Sequence, residues 1–161
     1  MQYNTIAFYV VSHTEKASIF CAEVSGMEPF MLKGTVVPGK QLGTRLGFPT
    51  ANIAYDPSDR AWPEEGVYAG IARIEGDSRS YAAILNQGSH PTAPGGAPTV
   101  EAHLLGYPPV ALYGRRLSLT YCRYLRPETR FPTLNDLQNQ LAQDRESAIA
   151  WARECAPELL P

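Results

Sequence analysis

The chain has 161 residues, 44% of them hydrophobic, enough for one ordinary domain with a buried core. Its formal net charge of −2 and pI near 5.9 exclude a global basic field for nucleic acid or for a membrane surface. Cys21, Cys122 and Cys155 are odd in number and far apart with no CxxC pair, which argues against a zinc site or disulfide framework and for a reduced, cytoplasmic setting.

Residues 1–30 are read as an N-terminal extension or remnant linker, ahead of a barrel domain over 31–161. Ile6 to Val11 reads as a strand or a buried apolar stub, too short to span a bilayer. No signal-peptide pattern precedes it. Thr14 to Ser25 reads as a short helix, broken by Gly26 and Pro29.

From Lys33 onward the pattern is β. "KGTVV" is a strand that stops at Pro38-Gly39. "GVYAGIARIEG" (66–76) alternates imperfectly and ends at a Gly76-Asp77 turn, with "SYAAILNQG" (80–88) as its hairpin partner. "TVEAHLLG" (99–106) and "RRLSLTYCRYL" (115–125) also alternate. Short strands joined by Gly/Pro turns favour a closed antiparallel barrel or a sandwich. Thr133 is the expected N-cap of a last helix, with Asp136 as its acidic partner. Leu134, Leu137, Leu141, Ala148, Ile149 and Trp151 form its apolar stripe, and Pro157 stops it after about Glu154.

The chemistry concentrates in "GKQLGTRLGFPTAN", Gly39 to Asn52. Gly39, Gly43 and Gly47 recur every four residues, and such a run can open a backbone nest for an anion. Lys40 and Arg45 add positive charge, and Pro49 fixes the approach to the next strand. Thr50 and Asn52 are two apart and face the same way on an extended segment, where their oxygens suit Mg²⁺. The plain alternative is a glycine-rich surface loop before a strand.

Glu101 and His103 share a strand face; the glutamate is solvent-facing or a base for a hydroxyl, and the imidazole is a neighbour. "NQGSHPT" (86–92) reads as a turn ahead of the alternative, a loop whose side chains contact a ligand directly. Tyr113, in "ALYGRR", either stacks on a base or packs in the core with a polar tip. "YLRPETRF" (124–131) is either a lid over a planar ligand or a connector.

Taken together, "GTVVPGKQLGTRLGFPTAN", "GVYAG", "NQGSHPT", "PTVEAHLL", "LYG" and "YLRPETRFPTLNDLQNQL" resemble the riboflavin kinase family in order and spacing, from about residue 27 to about 153. The resemblance implies a six-stranded antiparallel Greek-key β-barrel with a C-terminal helix. It implies transfer of the ATP γ-phosphoryl group to the ribityl 5′-hydroxyl of riboflavin, giving FMN and ADP. By resemblance, Glu101 is the catalytic base. Thr50 and Asn52 bind a divalent cation such as Mg²⁺ together with the nucleotide phosphates. Gly39, Lys40, Gly43, Thr44, Arg45, Gly47, Pro49, Leu104 and Tyr113 belong to the nucleotide side. Arg126, Thr129 and Phe131 belong to the flavin side, with the start of the last helix nearby.

Two positions depart from the family pattern. Thr44 stands where Arg or Lys usually follows the second glycine, and "GYPPVALYG" lacks the usual carboxylates. They support a competing reading, a catalytically weakened flavin- or nucleotide-binding barrel. Residues 1–30 are too few for the nucleotidyltransferase domain of many bacterial relatives, so FAD synthesis is not expected of them. A monomer is expected, with no nucleic-acid or membrane partner.

Overall fold

The computed structural model describes residues 30–39, 42–56, 61–88 and 98–161. The strand and helix expected within residues 6–25, the extension over 1–29, Lys40, and residues 89–92 of the expected turn lie outside the described residues.

Six strands form the domain: β1 (Phe30–Val37), β2 (Ala51–Ala54), β3 (Gly66–Ile74), β4 (Ser80–Gly88), β5 (Thr99–Leu104) and β6 (Arg116–Arg126). They close into a barrel in the order β1-β2-β5-β4-β3-β6. All six pairings are antiparallel. The meander β3-β4-β5 with β6 returned beside β3 is a Greek key, as the resemblance implied. The β3–β4 hairpin turns at Gly76, whose φ of +82° favours glycine, and the Asp77 N–H donates to the Ile74 carbonyl at 3.0 Å.

Two apolar layers hold the domain. Leu32, Val36, Ile53, Tyr68, Leu85, Leu119 and Tyr121 fill the barrel. Outside it, helix α2 (Leu134–Cys155) lays Ala148, Trp151, Ala152 and Cys155 on Val67, Ala69, Ile71, Ala82 and Ile84. Strand β3 therefore buries both faces, which explains its imperfect alternation.

Helix α2 begins as expected. The Thr133 hydroxyl accepts the Asp136 N–H at 3.1 Å and donates to Asp136 Oδ2 at 2.7 Å. It ends at Cys155, and a 3₁₀ turn (Pro157–Leu159) follows. The expected apolar stripe needs one correction. Leu134 is 60% exposed. Leu137 and Leu141 are half-buried and line a cavity instead of the core. The apolar packing of α2 on the barrel comes from its second half. Among the described residues no helix is long and apolar enough to cross a membrane.

Candidate functional site

The site grows from strand alternation. In β2, Ala51 and Ile53 point into the barrel, so Thr50 and Asn52 flank them on the outer face. In β5, Val100, Ala102 and Leu104 point inward, which leaves Glu101 and His103 outside. Register sets Asn52 opposite Glu101 and Glu101 opposite Asn86 of β4, one row across three strands. The Thr50 hydroxyl donates to Glu101 Oε2 at 3.4 Å. Asn86 to Gly88, where the expected strand 80–88 and the expected turn 86–92 overlap, are the last residues of β4. The Asn86 Oδ1 has no hydrogen-bond partner.

His103 has a structural task. Its Nδ1 lies 2.8 Å from the Pro49 carbonyl, which only accepts, so the proton sits on Nδ1. Its ring meets the Phe48 ring edge-on at 5.7 Å. Burial holds its pKa below the ordinary value; the Pro49 carbonyl opposes this and the charge of Arg145 reinforces it.

The glycine segment coils more than a loop would. A single helical turn, α1 (Leu42–Arg45), is followed by Gly47 at φ +83°. The Gly43 carbonyl accepts from Leu46 at 3.0 Å and from Phe48 at 2.8 Å, and the Thr44 carbonyl accepts from Gly47 at 3.2 Å. Those three N–H groups are therefore spent inside the segment. The expected nest excludes them, and the segment acts to deliver Phe48, Pro49 and Thr50 to the strand. Gly39 has a different reason to be glycine. A Cβ there would stand 2.0 Å from Asn52 Nδ2 and 2.3 Å from its Cγ.

Two cavities meet at Thr50. One, of about 260 Å³, lies between the outer barrel face and the first half of α2; Thr50, Asn86, Glu101, His103, Arg126, Thr129 and Phe131 line it, with Leu137, Leu141 and Asp144 opposite. The other, of about 410 Å³, opens at the barrel end beneath the 107–113 segment; Thr44, Gly47, Pro49, Thr50, Leu104 and Tyr113 line it. Tyr113 is half exposed there. Arg45 is exposed and lines neither.

The Arg-Pro loop closes the first cavity. Arg126 Nε and Nη2 donate to Asp144 Oδ1 and Oδ2 at 2.8 and 2.7 Å. Its guanidinium carbon lies 5.7 Å from the centroid of the Phe131 ring. The Thr129 hydroxyl donates to the Pro127 carbonyl at 3.4 Å.

Reading the sequence missed Phe48 and Asp144 as cavity residues; it ranked Asn86 as a turn residue ahead of a ligand contact, and it gave Leu137 and Leu141 to the core stripe while the resemblance set the start of the helix near the flavin. Asn86 could have been found by pairing the two strand registers, and Asp144 by asking what partners an acid on the helix face that continues the Leu137–Leu141 stripe.

At the junction the oxygen donors are the Thr50 hydroxyl and the Glu101 carboxylate; the Asn52 amide stands in the same row beside Gly39 and lines neither cavity. Among the described residues no group of three or more His, Cys, Asp or Glu could hold a metal ion. This donor set fits Mg²⁺ bound through few protein oxygens, with waters and substrate phosphates completing its shell, and does not fit an all-protein cage.

Residues 27–152 match the family model described as "Flavokinase: Riboflavin kinase". The bifunctional riboflavin kinase/FMN adenylyltransferase of Haemophilus influenzae is 33% identical over 124 residues, covering 77% of this chain and 39% of its own. The Pseudomonas fluorescens protein of the same description is 36% identical over 129 residues, covering 80% and 40%. The chain thus spans about two-fifths of the length of these curated relatives. A solved Streptococcus pneumoniae chain, described as a macrolide-efflux protein, shares 26% identity and a TM-score of 0.68 over 88% of this chain and 47% of that one. Riboflavin kinase from Trypanosoma brucei shares the fold, with a TM-score of 0.58 and 23% identity over 83% and 82%. With the matched segment spanning all six strands and most of the helix, the chain belongs to the riboflavin kinase family.

Proposed function

We propose that this chain phosphorylates riboflavin at the ribityl 5′-hydroxyl with ATP, giving FMN and ADP. The observation that carries the proposal is Thr50, which walls both cavities while its hydroxyl faces the Glu101 carboxylate. Phosphoryl transfer needs two bound substrates in line across a short gap, and little covalent help. The barrel-end cavity takes the nucleotide, with Tyr113 on the base and Thr44, Gly47 and Pro49 toward the phosphates. The outer cavity takes the flavin, against Phe131 and Leu137. Glu101 accepts the proton of the attacking hydroxyl. Thr50 and Asn52 would hold Mg²⁺, which would supply neutralisation of phosphate charge. His103 keeps the backbone at Pro49, and so Thr50, in place through its Nδ1–H.

The test is direct. Riboflavin, ATP and Mg²⁺ are incubated with the protein, and FMN is separated by chromatography. FMN formation supports the kinase. Quenching of flavin fluorescence without FMN supports the second reading, a weakened binding barrel, which Thr44 on the cavity wall favours because among the described residues no Lys or Arg lines that cavity. We read the protein as a cytoplasmic monomer, and its elution volume on gel filtration tests the monomer.

A further inference from the structure

Asp144 is an acid where an apolar residue would continue the helix face. It is one turn past Leu141 and only 3% exposed. Its partner Arg126, at the end of β6, has 18% of its side chain exposed. Both line the outer cavity. The bond is bidentate, and Gln140 Nε2 donates to Asp144 Oδ1 at 3.0 Å, fixing the carboxylate from one turn earlier.

A buried ion pair is weak evidence for stability, because well-packed apolar residues often serve as well. This pair has a second property that apolar residues lack. The guanidinium that Asp144 holds is also the centre of the 127–131 loop. Arg126 Nη1 donates to the Pro127 carbonyl at 2.9 Å, and the Phe131 ring lies under the same group at 5.7 Å. The other described anchor is Glu128, whose carboxylate packs where a Cβ on Gly88 would stand, 2.3 Å from Oε1. Removing Asp144 leaves Arg126 free to swing, and with it the proline end and the aromatic end of the loop.

We infer that Asp144 is a positioning residue for the outer cavity: through Arg126 it sets how the 127–131 loop covers the flavin-side ligand. The inference rests on the assignment of that cavity to riboflavin. Asp144 acts on the acceptor side alone, since its hydrogen bonds go to Arg126 and Gln140 and the nucleotide cavity lies beyond Thr50.

Riboflavin affinity is read by fluorescence quenching, which needs no turnover, and ATP KM is read separately. Failure of the wild type to bind riboflavin overturns the assignment of the cavity and not the clamp. With wild-type binding in hand, Asp144→Asn raises the riboflavin Kd about tenfold or more, as expected for a contact group moved by an ångström, and leaves ATP KM within about twofold. Tryptic cleavage after Arg130, inside the loop, becomes faster in the same variant. Asp144→Glu, which keeps the charge, recovers most of the affinity. In an Arg126→Met background, Asp144→Asn adds no more than about a twofold effect, because the aspartate works through the arginine. If Asp144→Asn does not fold, the pair Arg126→Met/Asp144→Leu removes the buried charge and carries the test, with ordinary ATP KM and weakened riboflavin binding expected. Riboflavin affinity kept in that pair, unchanged affinity in Asp144→Asn, or riboflavin and ATP affinities falling together with Tm would overturn the inference.

Discussion

Gly39→Ala tests the Asn52 assignment without touching Asn52. The added Cβ would sit 2.0 Å from Nδ2, 2.3 Å from Cγ and 2.6 Å from Oδ1. Ordinary contact is about 3.5 Å, so the amide must retreat by about 1.5 Å. The end of a side chain yields more readily than backbone, and an off-rotamer asparagine costs about 0.5–1.5 kcal/mol. For a domain of this size that lowers Tm by a few degrees, roughly 2–4 °C per kcal/mol. Turnover suffers far more. A misplacement of about 1 Å in a positioning group costs about 10²-fold, or about 2.7 kcal/mol of transition-state stabilisation. We expect kcat to fall by about that factor, and the Mg²⁺ concentration giving half-maximal rate to rise. Steady-state FMN formation against Mg²⁺ concentration, beside a thermal melt, measures both. Asn52→Ala gives a similar loss, and combining it with Gly39→Ala adds little. A folded Gly39→Ala protein with more than half of wild-type kcat and an unchanged Mg²⁺ requirement would refute the role given to Asn52.

Other expectations follow from the same geometry. Glu101→Gln lowers kcat by about 10²–10⁴-fold while ATP affinity holds, and wild-type turnover in that variant would remove Glu101 as the base. Trp151→Ala empties the layer beneath α2, where the ring is 1% exposed. It should cost about 3–5 kcal/mol and lower Tm by about 6–20 °C in calorimetry; a shift under about 3 °C would contradict the packing. The pH dependence has two arms. The fold favours neutral His103, so its contribution is complete above the ordinary value of 6.5 and is lost as pH falls below that, toward its depressed folded pKa. Tyr68 is pushed up to about 12 by burial, then by Tyr124 and Glu64, so its contribution is complete below pH 10 and lost from 10 toward 12. Urea midpoints across pH 5–8 read the first arm, and His103→Gln should flatten it.

The barrel was readable because its strands end on strong punctuation: Pro38-Gly39, Gly76-Asp77 and the proline-rich 107–109 stretch. That Thr50 shares a side with Asn52, and Glu101 with His103, also followed from alternation alone; that the side is the outer one did not. The first half of α2 was misread by periodicity, and only the resemblance set it near the flavin side. Leu134, Leu137 and Leu141 have core spacing, and periodicity does not distinguish a wall that packs on protein from one that borders a cavity. Asn86 escaped for another reason. Its neighbours carry turn composition, and its place beside Glu101 depends on the β4–β5 register, a long-range choice. Asp144 needed knowledge of a partner eighteen residues away on a different element. The helical turn at Leu42–Arg45 hid in a glycine pattern that favoured an open nest.

A ring of strands is as strong as its thinnest seam. Here β3 and β6 zip from Val67 opposite Arg126 to Ile74 opposite Leu117. Strand β2 is only four residues long, and among the described residues it joins β5 through Ala51 opposite Ala102 and Asn52 opposite Glu101 alone. The seam with the fewest rungs thus carries, on facing positions, Asn52 and Glu101, the residues proposed here as metal ligand and base. Local opening follows the least-bonded part of a fold, so the ring should part first at its own site, with the fastest amide exchange along Ala51–Ala54. A nucleotide bound at this join would act as a rivet. Ligand binding then shows itself as slowed exchange along the β2–β5 seam before it shows in the melting of the whole barrel.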